Sequence, residues 1–270
     1  MKGMVVVPIV LLVACGLLEA PPVHDAWLEP SWRLPLGSDE FGRNALLVLL
    51  VATGRSTAFG GHLAVATISF ATAIAYISTF RTFRVLAYAI RLSVQVVESV
   101  PIFVWVLAGF AAYRTSSTFV VPVAFMLAVL PIAIAVMRGE FERLATAHYI
   151  EAAQLAGVSD LRLIAKHYLP NSWSVIGPLA IQLLGTAIAI RGAIGVLGFS
   201  TRSDYDLGIS LLRGKENIAA HPMLMTTTIL TIVLLYVYLD AVSRRLAVGG
   251  VENEGRQQPV QASPSPPGPA

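Results

Sequence analysis

The chain has 270 residues, 16 acidic and 19 basic, for a net charge of +3; 56% of it is apolar and only 13% is charged. A soluble domain carries about a quarter of its residues as charges, and a globule with a mean hydropathy of +0.71 could not cover its apolar surface with so few. Disorder, collagen and coiled coil are excluded for the bulk of the chain, which leaves a polytopic membrane protein.

The pI of about 9.2 reflects three excess charges with no basic run, which argues against nucleic acid as a partner. The single cysteine, Cys15, excludes an intrachain disulfide and a cysteine-based zinc site. A spanning helix needs about 20 apolar residues. The apolar runs here are continuous and do not alternate, so they read as helices and not as barrel strands.

Met4–Leu18 is the first run, and it is short. Lys2 before it, with Leu12-Val13-Ala14-Cys15-Gly16 inside it, leaves open a processed signal or a retained anchor. Five further runs favour the anchor, so 1–20 is expected as a first transmembrane helix and 21–53 as an outer segment. The second run is Ser56–Phe80. The third, Val85–Tyr113, carries Arg91 and Glu98 and is expected to kink or break at Pro101. Thr115–Met137 is the fourth. Asn171–Ile190 is the fifth and continues past Arg191 through Gly192, Gly195 and Gly198. Pro222–Leu239 is the sixth.

With the N-terminus inside, nine Lys and Arg fall on inner segments and seven on outer ones, with Arg81, Arg84, Arg138, Arg244 and Arg245 at span ends. Six spans then put both termini in the cytoplasm. The membrane unit covers 54–248, and the Pro-rich stretch 249–270 is expected to be a disordered tail.

The segment 138–170 between the fourth and fifth runs is long for a plain connection. Tyr149–Ala156 has good helix formers, Gly157 suits a left-handed helix stop, Ser159 or Asp160 can cap a second short helix, and Pro170 is expected to end it. Glu151-Ala152-Ala153, then Gly157, then Leu169-Pro170 resembles the coupling-loop signature of bacterial ABC importer permeases. The resemblance implies that this loop docks into a cytoplasmic ATP-binding subunit, with Ala152 and Ala153 allowing close helix packing and Glu151 making a polar contact or capping the loop.

Leu36-Gly37-Ser38-Asp39-Glu40-Phe41-Gly42-Arg43-Asn44 is similar to an outer segment of the dipeptide, oligopeptide and nickel branch of that family. Gly37, Asp39, Gly42 and Arg43 match the pattern. Ser38 and Asn44 replace a threonine and an aspartate, and Asn44 loses the charge. Asp39 can cap a short helix, Gly42 lets it pack tightly, and Arg43 is expected near the outer headgroups. Leu197-Gly198-Phe199, with Gly208, Gly214 and His221-Pro222 further on, resembles the end of the fifth span and the outer loop of the same branch.

Gly214-Lys215 is not a phosphate loop, because Ile209 stands where the first glycine belongs and Glu216 follows the lysine. With the resemblance, this implies a separate ATPase. The five histidines show no metal spacing. His62, inside the second run, suits either a helix–helix hydrogen bond or a solute contact. Arg91, Glu98 and Arg191 are costly at membrane depth and should face the bundle or water, as path lining or as structural ion pairs.

The resemblance thus implies an all-α polytopic membrane protein of the type I ABC importer permease fold, non-catalytic itself and residing in the bacterial plasma membrane. It would pair with a second homologous permease subunit, two ATP-binding subunits holding Mg-ATP, and an extracytoplasmic substrate-binding protein. No cofactor is expected in this chain, and its solute is a peptide, nickel or a related small molecule. The alternative is an ion-coupled secondary transporter using Glu98 and Arg191.

Overall fold

The computed structural model describes residues 2–22, 25–79, 84–113, 120–197 and 205–257. The described elements, in chain order, are helices α1 (Lys2–Cys15), α2 (Ala45–Thr79), α3 (Arg84–Glu98), α4 (Ile102–Tyr113), α5 (Val120–Ala145), α6 (His148–Leu155) and α7 (Asp160–Leu163). A π turn (Ile164–Tyr168) follows, then α8 (Leu169–Asn171), α9 (Trp173–Val196), α10 (Leu207–Glu216) and α11 (Pro222–Gln257).

Among the described residues, four helices are long and apolar enough to cross a membrane, over Ala45–Thr79, Pro122–Ala145, Trp173–Val196 and Pro222–Ala247. The other two expected spans take different forms. Helix α1 has 14 residues, about 21 Å of rise, against a hydrocarbon core of about 30 Å. The third run is two helices, interrupted at Ser99–Pro101 as the proline demands.

Three boundaries differ from the sequence expectation. Helix α2 begins at Ala45, because Asn44 Oδ1 accepts from the N–H groups of Leu46 (3.0 Å) and Leu47 (3.4 Å) and so caps it. Arg55 therefore lies within the helix, where its Nε donates to the Gly16 carbonyl at 3.1 Å and ties α1 to α2. Helix α5 runs past Met137 through the charged stretch to Ala145. Arg138–Glu142 and Glu140–Arg143 pair along its surface while Phe141 and Leu144 are buried, so the inner loop shortens to 146–172. Helix α11 continues past Gly249 to Gln257; 258–270 lies outside the described residues.

Helix α9 is the centre of the bundle. It packs against α2, α5, α10 and α11, and α2 packs in turn against α5. Thr53, Thr57 and Thr79 on α2 return their hydroxyls to their own helix, as Thr57 Oγ1 does to Thr53 C=O at 2.8 Å, whereas the Thr67 and Thr72 hydroxyls are buried without a hydrogen-bond partner. At the inner end Tyr76, Phe141 and Tyr168 meet edge to face, with ring centroids 5.0 to 6.4 Å apart.

Candidate functional site

The inner loop starts at Ala147, which is extended, and turns directly into α6. A full Schellman closure ends α6: Gly157 N–H donates to Gln154 C=O at 3.0 Å and Val158 N–H to Ala153 C=O at 3.2 Å. Gly157 takes φ +74°, the left-handed conformation that favours glycine, and its Cα face is open space.

Pro170 does not end the second helix, contrary to the expectation. The chain before it winds as a π turn, with Leu169 N–H donating to Ile164 C=O, and Pro170 falls in the first turn of α8, where a missing N–H costs little. The helical run stops at Ser172 instead.

This loop has two sides. Ile150, Leu163 and Tyr168 are buried and root it in the core; burial holds the Tyr168 phenol above its ordinary pKa. Glu151, Ala152, Gly157 and Pro170 are exposed, Ala153 and Leu169 are half-buried, and Leu155 is 84% exposed. The six signature residues thus fall on one projecting helix–turn–helix. Its rooting residues carry no motif; their one signal is apolar character at positions 150, 163 and 168 inside a polar stretch.

At the opposite end, the Gly37–Asn44 segment folds on itself, with Ser38 and Asn44 bridged and Gly37 and Gly42 at φ +71° and +70°. Asp39 does not cap a helix. Its Oδ1 accepts from the Phe41 and Arg43 N–H groups at 2.9 Å each, and its Oδ2 from Arg43 Nε at 2.6 Å. Arg43 is buried in this pair. Burial works against its charge, yet Asp39 and Tyr205 outweigh that and raise its pKa.

Arg43 stacks over Phe41 (4.6 Å) and Tyr205 (4.8 Å), and Arg213 over the same Phe41 (5.0 Å) while pairing with Glu40 at 3.2 Å. Burial and the neighbouring Arg43 charge lower the Arg213 pKa. Tyr205 and Arg213 were not singled out by sequence as partners of this motif, since they lie over 160 positions away in the chain.

Arg191 Nε bonds Asp206 Oδ2 at 3.0 Å, stacked over Phe59 at 4.2 Å. Asp206 is fully buried and also caps α10 by accepting from Ile209 N–H at 2.8 Å. His62 is exposed, with Nδ1 at 2.7 Å from its own helix's Ala58 carbonyl. Arg91 lies 3.9 Å from Glu142. The Glu98 side chain lies outside the described residues. Among the described residues no group of His, Cys, Asp and Glu could hold a metal ion.

A helical bundle with a rooted inner helix–turn–helix and an ion-paired outer knot defines the class: a polytopic transporter subunit. The profile of the family "binding-protein-dependent transport system inner membrane component" matches residues 67–248, and the chain belongs to that family as the permease subunit of an ABC importer.

The chain is 36% identical over 103 residues to the inner membrane ABC transporter permease protein YejE of Escherichia coli (strain K12), a match covering 38% of this chain and 30% of that one. It is 26% identical over 210 residues to a protein named as a candidate peptide transport system permease in Brucella suis, covering 74% of this chain and 69% of the relative. Its fold is similar to a chain of the MetNI methionine ABC transporter in an inward-facing conformation, with a TM-score of 0.52 at 15% identity, covering 73% of this chain and 94% of the other.

Proposed function

We propose that this subunit couples to a separate cytoplasmic ATPase through the Glu151–Pro170 helix–turn–helix and carries a peptide or a related small solute, nickel included, across the bacterial plasma membrane. The observation that carries the reading is the exposed, left-handed Gly157 turn beside exposed Glu151 and Leu155, held out by buried Ile150, Leu163 and Tyr168. An element rooted so firmly and offered so openly suits a rigid contact that transmits motion.

Two ATP-binding subunits would bind Mg-ATP and hydrolyse it. A second homologous permease would complete the path, and an extracytoplasmic substrate-binding protein would deliver solute on the side of the Gly37–Arg43 knot. Membrane lipid would cover the remaining apolar surface. The chain itself performs no covalent step. The peptide assignment rests on the naming of the Brucella relatives and on the outer segment's resemblance to the peptide and nickel branch.

The ion-coupled alternative is disfavoured, because the Arg191 charge is compensated by Asp206 in the outer knot. Glu98 and His62 remain candidates for lining the path.

Affinity capture of the tagged chain from membranes tests the reading. An ATPase should co-purify with the native chain and be lost with Glu151→Arg and with Gly157→Asp, both at normal expression. Retained capture and transport in both variants would sink it. In the same vesicles, full transport by Glu98→Gln would remove Glu98 from the path.

A further inference from the structure

Helix α3 differs from the four membrane-crossing helices. Tyr88, Arg91 and Gln95 are exposed and spaced by three and four residues, which sets them on one face. A stripe of phenol, guanidinium and amide is unsuited to lipid and suits water. The Arg91 side chain is 63% exposed and lies 3.9 Å from Glu142 of α5.

Glu142 is itself held. Arg138 Nε and Nη2 both donate to its Oε1, at 2.8 and 2.6 Å, a charge-assisted grip that fixes the carboxylate. The Arg91 contact to the same oxygen is long and half-solvated, so it is weak enough to form and break.

The placement of Glu142 gives this weak contact a meaning. Its neighbour Phe141 is buried against Tyr76 of α2 and against Tyr168, one of the residues that root the inner loop. The end of α5 and the loop root therefore form one packed body. Helix α3 packs against α5 and is separated from α4 by the Ser99–Pro101 break, so the two helices of the third run need not move together.

We propose that Arg91 and Glu142 form a two-position ion pair at the inner mouth, through which displacement of the loop root opens or closes the polar face of α3. This rests on the coupling reading above and adds to it a named contact between loop and path. Arg138 is a positioning residue that presents Glu142 to Arg91.

The test uses the whole transporter, with its co-purifying ATPase, in inside-out vesicles. Cys15 is the chain's one cysteine, so a Cys15→Ser background leaves introduced thiols alone. Arg91→Cys with Glu142→Cys should cross-link with a short bis-methanethiosulfonate at yields that differ several-fold between nucleotide-free and ATP-vanadate states. Separately, Arg91→Gln should raise solute-free ATPase activity about threefold, the scale of one exposed ion pair, and Arg91→Lys should reverse most of that rise. Equal cross-linking in both states, or equal ATPase activity in the Gln and Lys variants, overturns the proposal while leaving ATPase capture intact. Failure to capture any ATPase overturns the coupling reading and this proposal together.

Discussion

Asp39 and Arg43 are four positions apart and almost sealed from solvent, at 2% and 7% exposure. Removing one partner of a buried pair strands the other charge, which costs about 3–5 kcal/mol. Asp39→Asn keeps an acceptor for the Phe41 and Arg43 N–H groups yet loses the charge, so it isolates the ion pair from the turn. We expect a clear fall in thermal midpoint in detergent. Glu40→Gln, at the more open Arg213 pair, should cost no more than about 1 kcal/mol. Equal effects would mean that burial does not set the hierarchy within this knot.

Gly157 illustrates a residue that could be read correctly from sequence alone. A glycine after helix formers predicts a left-handed stop, and the stop is there, because that conformation is decided by local sterics. Pro170 departs from the sequence expectation for a complementary reason. A proline stops a helix only where its N–H is needed, and the π turn before it moved the hydrogen-bond register.

At the scale of elements, the packing of α9 against α10 depends on two glycines. A Cβ on Gly195 would stand 2.4 Å from the Gly208 backbone, while one on Gly192 would meet nothing within 4 Å. Intrinsic propensity favours alanine in a helix at either position. Gly195→Ala should nevertheless lower the thermal midpoint, by an overpacking cost of about 1–3 kcal/mol, and Gly192→Ala should leave it level or higher. A matching response from the two would refute the close crossing.

The differing bounds of α2 and α5 share one cause. In the sequence a charged residue suggests a span end, yet Arg55 bonds Gly16 C=O within α2, and Arg138–Arg143 are absorbed into α5 by side-chain pairs. Charge marks the edge of the hydrocarbon, not the end of a helix.

For the whole molecule, the inner loop and the outer knot lie at opposite ends of α9, whose 24 residues rise about 36 Å. This predicts side-specific labelling. In a Cys15→Ser background, Leu155→Cys should react with an impermeant maleimide in inside-out vesicles only, and Trp32→Cys, wholly exposed in the outer segment, in intact spheroplasts only. Labelling of both from one side would overturn the orientation.

Composition by itself determined the class, since 13% charge cannot clothe a soluble globule, and a spaced motif determined the family resemblance. Both are local or additive properties, so they survive without coordinates. Tertiary structure decided what the few charges do. Arg43 is sealed against Asp39 and Tyr205, Arg191 is bound to Asp206, and Arg91 is offered to Glu142. Where a costly charge finds its partner depends on which helices pack together, and packing brings residues 43 and 205 into contact in a way that no spacing along the chain records.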